Sequence, residues 1–335
     1  MAPVCLKRQI TSAPGVANNF GPTPAKVENY HGPRQVVYGI ACPEGCTHTG
    51  EIVYSRWREV PLPETITIAD GNTALEIRPD VFGYEPTTVH GLVEWYLNFA
   101  HHDLFCAYGG PLLAQDELQV AEHPALGSLR EALLDYGEPF GTVEDGMPTP
   151  VLIRNVERRC VIDTQPNLKE GRPYGLYGNN FYCASREDIV RAVKPIVPPT
   201  VSNVIAIEAP AYGESTYTFE EVSYILTTAF SGFAAARQES LDNGAQEVAI
   251  HTGFWGCGAY GGNRMLMTIL QLLAANLAQI EHLVFHTVDE NGAYTVQQAL
   301  ILFDVDFCSG TSRQLSELID QVIAYGFEWG ESDGN

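Results

Sequence analysis

Two periodicities run along the chain. Apolar residues recur at helical spacing over Thr218–Gln238, where Phe219, Val222, Ile225, Leu226, Ala229, Phe230 and Phe233 share one stripe, and again over Arg264–Gln279. Short continuous apolar runs lie around these helices. Asn203–Ala209, Glu247–Thr252 and His282–Val288 are predicted as buried strands, as is Leu300–Phe307 before a last helix over Ser312–Tyr325. Alternation of this kind predicts an α/β layered sheet. Upstream, Val89, Leu92, Val93, Tyr96 and Leu97 predict a helix over Thr87–His101, and Asp116–Leu134 reads as helical with a break at Pro124. Val151–Arg154 and Arg159–Ile162 are strand-like. Ser185, with Asp188 three residues on, predicts the cap of a short helix to Val193 that Pro195, Pro198 and Pro199 end. Residues 1–85 differ: seven prolines from Pro14 to Pro63 break every helix-length window, and Val36–Ile40 and Ile52–Trp57 are predicted strands. The predicted organisation is an N-terminal extension (1–85) packed on a core (86–335).

Composition narrows the function. The 335 residues are 45% hydrophobic, enough for a sizeable core. Nineteen Lys and Arg face 41 Asp and Glu, a net charge of −22. That charge excludes the basic surface a nucleic-acid binder needs and disfavours an anionic membrane. It leaves room for an anionic small ligand, because backbone N–H groups can hold phosphates without a net positive charge. The N-terminal residues lack an apolar signal core, and the longest apolar stretches, such as Met265–Ala275, are too short to cross a bilayer. Eight cysteines, sparse and mostly in apolar runs, fit a reduced, intracellular protein, cytoplasmic or nuclear.

The most informative stretch runs from His251 to Asn263. It follows an apolar strand, precedes a long apolar helix and holds Gly253, Gly256, Gly258, Gly261 and Gly262. Glycine permits positive φ and close backbone approach to a ligand. Free N–H groups at the start of the next helix, with its dipole, would favour an anion. The loop therefore reads as a phosphate or diphosphate cradle, although glycines alone also suit a ligand-free strand-to-helix turn. It lacks the Gly-Lys-Ser/Thr of a P-loop and lies too late in the chain for a Rossmann fingerprint.

Thr252-Gly-Phe-Trp-Gly-Cys-Gly-Ala-Tyr-Gly-Gly262 resembles the Thr-Gly-Asn-Trp-Gly-Cys-Gly-Ala-Phe-Gly-Gly motif of poly(ADP-ribose) glycohydrolases. Val204-Ile-Ala-Ile-Glu-Ala209, Phe230-Ser-Gly-Phe233 and Leu266–Ala275 resemble three further segments of that family. The similarity spans roughly residues 95–290 and is strong over 203–279. It implies a macrodomain-like mixed sheet between helices with ADP-ribose at one end of the sheet. It also implies that Gly253, Phe254, Trp255, Gly256, Cys257, Gly258, Ala259, Tyr260 and Gly261 hold the ligand, with Tyr260 beside the distal ribose.

The family's catalytic signature is three glycines, a spacer and Gln-Glu-Glu. Its counterpart here is Gly109-Gly-Pro-Leu-Leu-Ala-Gln115-Asp116-Glu117, preceded by Asn98-Phe-Ala-His101. The resemblance assigns Glu117 as catalytic acid and Asp116 as the first acid. Asn98, His101, Gly109, Gly110 and Gln115 become substrate-binding positions. Adjacent helical residues point about 100° apart, so one carboxyl should face the scissile bond, and Glu117 is the expected one. The implied reaction is hydrolysis of the O-glycosidic bond of poly- or mono-ADP-ribose. A buried acid protonates the leaving oxygen and then, as a carboxylate, activates water. The plain alternative is a solvated helix start, where acids suit the dipole.

The sequence departs from the family at several places. One glycine of the signature is missing. Phe254 replaces an asparagine, the adenine-stacking position falls near Val288, and Glu157–Thr164 lacks both ligand-bordering tyrosines. The tyrosine-rich stretch Pro173–Tyr182 offers replacements or mere packing. These departures keep open a non-catalytic ADP-ribose-binding macrodomain, or a hydrolase of another nucleoside-diphosphate sugar. Cys42-x3-Cys46-x-His48 lacks the second pair a structural zinc site wants, and adjacent His101 and His102 are expected to face different ways. No metal or cofactor is expected. A Cys257–His251 dyad is the weaker account of a small residue in a tight loop, and the acidic end Glu328–Asp333 is expected to be solvated.

Overall fold

The computed structural model describes residues 3–12, 32–68 and 73–334. Eight strands build one sheet: β1 (Cys5–Ser12), β2 (Glu51–Trp57), β3 (Ala74–Arg78), β4 (Leu92–Phe99), β5 (Val151–Ile162), β6 (Val193–Ile207), β7 (Glu247–Thr252) and β8 (His282–His286). Their order is β1-β2-β5-β6-β4-β7-β8-β3. From β6 through β4, β7 and β8 to β3 every pairing is parallel, and the other three pairings are antiparallel. The mixed sheet between helical layers is the α/β architecture that the alternation predicted.

Eight α-helices are described: α1 (Gly32–Ala41), α2 (Gln115–Glu122), α3 (Ala125–Tyr136), α4 (Arg186–Ala192), α5 (Phe219–Asp242), α6 (Arg264–Leu277), α7 (Glu290–Asp306) and α8 (Leu315–Ala324). Their starts follow from local chemistry. Thr218 and Glu221 cap α5 reciprocally, and Ser185 and Asp188 do the same for α4. Pro124 separates α2 from α3. One face of the sheet packs Trp95, Leu97, Ile205 and Ile250 against α5 and α6. The other packs Ala206, Val204 and Ile153 against α3.

Three predicted elements are wrong. Thr87–His101 is not a helix but strand β4. Its apolar run also satisfies a period of two, and at the centre of a parallel sheet Trp95 and Leu97 are buried on one face, Tyr96 and Asn98 on the other. Val36–Ile40 is not a strand but the middle of α1, where Arg34, Val37 and Ala41 are buried at helical spacing. Leu300–Phe307 is not a strand but the end of α7, with Ala299, Phe303 and Phe307 buried four apart. The prolines after α4 lie inside β6, so they end the helix by starting an extended strand. Val151–Arg154 and Arg159–Ile162 are one strand, with irregularities at Ile153/Val156 and Arg158/Cys160.

Candidate active site

The carboxyl ends of the parallel strands β4, β6 and β7 open into loops at one edge of the sheet, where ligands of open α/β sheets bind. A cavity of about 270 Å³ lies there. Residues 99–117 form one wall, and the glycine loop with Ala209 forms the other. Gln115, Asp116, Glu117 and His101 line it from the first side, and Trp255, Gly256, Gly258, Ala259 and Tyr260 from the second. Two segments far apart in sequence therefore share one cleft.

The carboxyl wall is built from the first turn of α2. Gln115 fixes that turn to the end of β4: its Oε1 accepts from the Phe99 amide at 2.8 Å and its Nε2 donates to the Leu97 carbonyl at 3.0 Å. Asp116 Oδ1 accepts from Asn98 Nδ2 at 2.9 Å. Asn98 is fully buried behind it and does not line the cavity; its Oδ1 has no protein partner. Glu117 Oε2 accepts from the Ala114 amide at 3.1 Å. Burial raises both carboxyls. Asp116 is pushed up to about 7, first by burial and then by the neighbouring Glu117 charge. Glu117 is raised by burial against the opposing pull of its backbone hydrogen bonds and the Arg34 charge. The pair can hold a proton at neutral pH, so it is not a solvated helix start.

Sequence reasoning missed Arg34. This buried side chain of α1 donates to the carbonyls of Gly110 (3.2 Å), Leu112 (2.6 Å) and Glu117 (2.7 Å). It ties the loop that carries Gly109 and Gly110 to the turn that carries the acids. The two glycines do not line the cavity. They shape its wall from behind.

The glycine loop is anchored at both ends. Trp255 is fully buried and donates to the Ile207 carbonyl at 3.1 Å; Gln271 donates to the Gly253 carbonyl at 3.1 Å. The next helix does not offer its free amides, contrary to expectation: Asn263 Oδ1 accepts from the Met265 and Leu266 amides. The loop itself supplies the donors. The amides of Gly256, Gly258, Ala259 and Tyr260 make no hydrogen bond among the described residues, and all four residues line the cavity. Unpaired amides clustered in this way are the donors an anion nest uses. Gly253, Phe254, Cys257 and Gly261 lie outside the lining. Phe254 packs edge-on against Phe285 beneath the Arg264 guanidinium. The Cys257 thiol is pushed far up by burial, while His251 bonds His286 and Glu94, so these two form no dyad. The Tyr260 hydroxyl donates to Glu208 Oε1 at 3.2 Å.

Two more residues enter the cavity. Tyr177, from the tyrosine-rich stretch, lines it. So does Asp333: the acidic end is solvent-exposed, as expected, and runs as a strap along the loop. Trp329 stacks on Tyr217 at 4.3 Å, and the Gly330 amide donates to the Gly261 carbonyl at 2.7 Å. Asn179 Nδ2 donates to the Gly334 carbonyl at 2.7 Å. His101 and His102 do not diverge: their ring centroids are 3.8 Å apart at a tilt of 36°. Of the candidate zinc ligands, His48 Nε2 is already taken, accepting from the Glu157 amide at 3.2 Å.

Unpaired loop amides and buried acids thus belong to one cavity at the end of the mixed sheet. Residues 174–294 match the family model described as poly(ADP-ribose) glycohydrolase (PARG), Macro domain fold. That match covers 121 of the 335 residues, from the tyrosine-rich stretch through the glycine loop to the start of α7. The match begins downstream of Gln115–Glu117. No curated protein matches the chain. Among solved structures it is similar to poly(ADP-ribose) glycohydrolase from Deinococcus radiodurans in complex with ADP-ribose, at 13% identity over 90% of this chain and 95% of that one, with a TM-score of 0.41. It is also similar to a mutant of the enzyme from Thermomonospora curvata, at 15% identity over 81% and 99%, with a TM-score of 0.45.

Proposed function

We propose that the protein is an ADP-ribosyl glycohydrolase that cleaves the O-glycosidic bond of poly- or mono-ADP-ribose. The family match supports the reaction class, and one observation carries the reading at the level of residues. The free amides of Gly256, Gly258, Ala259 and Tyr260 and the buried carboxyls of Asp116 and Glu117 belong to residues that line the same cavity. The nest takes the diphosphate and thereby fixes the ribose against the acids. Glu117 protonates the leaving oxygen as the ribose takes on oxocarbenium character, and its carboxylate then activates the attacking water. Burial is what lets Glu117 hold its proton, and Asp116, anchored by Asn98, stands beside it as the second acid. Tyr260 and Tyr177 flank the sugar.

Residues 86–335 form the catalytic unit in this reading. Residues 1–85 are built into that unit: they supply β1 and β2 at one side of the sheet, β3 at the other, and Arg34 behind the acids. Its partners are ADP-ribosylated proteins or polymers rather than nucleic acid. No described helix is long and apolar enough to cross a membrane. No disulfide joins the described cysteines, which fits a reducing intracellular compartment.

Release of ADP-ribose from ADP-ribosylated protein and from polymer tests the reading. Glu117→Gln should lower the rate about 100-fold or more while ADP-ribose still binds. Full turnover by that variant would remove Glu117 from the chemistry. Binding without turnover by the wild type would leave a reader module.

A further inference from the structure

His101, His102 and Glu208 converge at the rim of the cavity. Each offers one ligand atom, and these atoms lie within 4.8 Å of one another. His102 Nδ1 and Glu208 Oε1 are 3.2 Å apart. His101 and His102 follow β4 and Glu208 follows β6, two adjacent parallel strands, so the sheet itself sets the convergence. We propose that these three side chains bind a first-row divalent metal ion, zinc above all, beside the cleft.

The chemistry selects the ion. Two imidazoles and one carboxylate are the donor types of three-ligand zinc sites, which keep a fourth position open. Ligand atoms around one tetrahedral zinc lie roughly 3.3 Å apart, given bonds of about 2.0–2.1 Å. The His102–Glu208 pair already has that spacing, and rotation of the exposed His102 ring brings in the rest. Hard cations such as magnesium prefer oxygen-only shells and would not choose two imidazoles. The Cys106 sulfur, 3.6 Å from His101 Nδ1, adds a soft donor at the same edge. Outer contacts are in place as well. The Tyr260 hydroxyl donates to Glu208 and orients its carboxylate. One bond must be given up: the Asp103 amide donates to His101 Nδ1 at 3.1 Å. Whichever ring nitrogen ligates, Nδ1 then holds either the metal or the proton. The net charge of −22 favours capture of a cation over the whole surface.

The experiment uses the full chain, stripped with a chelator and titrated with zinc by calorimetry and with cobalt by visible absorption. Neither readout depends on ADP-ribose chemistry, so failure here leaves the proposed activity untouched. The wild type should bind one zinc at this site and give the cobalt bands of a four-coordinate ion. His102→Ala, an exposed change that spares the core, should abolish that binding. Glu208→Gln, which keeps an acceptor for Tyr260, should weaken it at least about tenfold. Cys42→Ser with Cys46→Ser should leave it intact. Unchanged zinc stoichiometry and affinity in His102→Ala, no zinc uptake by the wild type, or a thiolate–cobalt band that survives His102→Ala would each overturn the proposal.

Discussion

Arg34 donates to the carbonyl of Glu117 at 2.7 Å across 83 positions of sequence. The same guanidinium holds Gly110 and Leu112 and lies over the Phe181 ring, so one buried cation joins α1, the loop before α2 and the turn with both acids. Its charge also opposes the upward push that burial gives Glu117. Position and proton affinity of the acid therefore share one cause.

Replacing Arg34 should unfasten both. Arg34→Ala leaves three carbonyls without their donor, and charge-assisted bonds of this kind contribute about 1.5–3 kcal/mol each. A lower melting temperature and a turnover loss larger than the stability loss explains are expected. Arg34→Lys should restore only part, because a point charge cannot reach three acceptors set around a planar fork. Thermal melts with steady-state assays on both variants check this. An Arg34→Ala protein with wild-type turnover would show that the loop holds its shape unaided.

Asp116 makes stability depend on pH. Its folded value, about 7, lies above its ordinary 3.8, so the folded chain binds this proton more tightly than the unfolded chain does. The contribution is fully present below about pH 4 and is lost as pH rises through 7. Asp116→Asn has no proton to lose and keeps an oxygen for Asn98. Relative to wild type it should gain stability progressively from pH 4 to 7, by at most about 4 kcal/mol. Melting curves across that range decide it, and a gap independent of pH would contradict the buried neutral acid.

The parts of this site that sequence reveals are those carried by local chemistry. The glycine loop announces itself by composition, and α4 and α5 by their capping residues. β4 is not separable from a helix by pattern, because eight residues with Trp95, Tyr96 and Leu97 in sequence fit either period. Burial on both faces, a tertiary fact, decides between them. Arg34, Glu208 and Asp333 carry no local signal at all. Each joins the site only because the sheet order or the final strap brings it there. The assumption that α6 presents free amides failed on one residue, Asn263, whose side chain caps the helix. An asparagine immediately before a helical stripe is a readable sign of that.

The two glycines of the nest should respond differently to a methyl group. Gly256 has φ 74°, and a Cβ there would sit 2.6 Å from the Ala209 Cβ. Gly256→Ala should destabilise by roughly 2–3 kcal/mol and weaken ligand binding, since both conformation and space oppose it. At Gly258 the nearest atom to an added Cβ is the Asp333 carboxylate at 3.3 Å, and φ is not positive. Gly258→Ala should melt close to wild type. Equal losses at the two positions would mean that the loop does not hold this backbone in solution.

The strap gives the last prediction. Asp333 brings a carboxylate into a cavity whose opposite wall offers unpaired amides, the same polarity an incoming diphosphate needs. Two like charges about 4 Å apart in water cost about 1 kcal/mol, near fivefold in affinity. Asp333→Asn keeps the side chain's size and removes the charge. It should tighten ADP-ribose binding about two- to fivefold at low ionic strength, and the gain should shrink as salt screens the carboxylate. A strap held by Trp329 on Tyr217 and by Gly330 on Gly261 stays in place in this variant, so the change isolates charge from access. Calorimetry at two salt concentrations reads it directly. Affinity unchanged at low salt would place the Asp333 carboxylate away from the bound anion, and a gain indifferent to salt would point to the strap having moved.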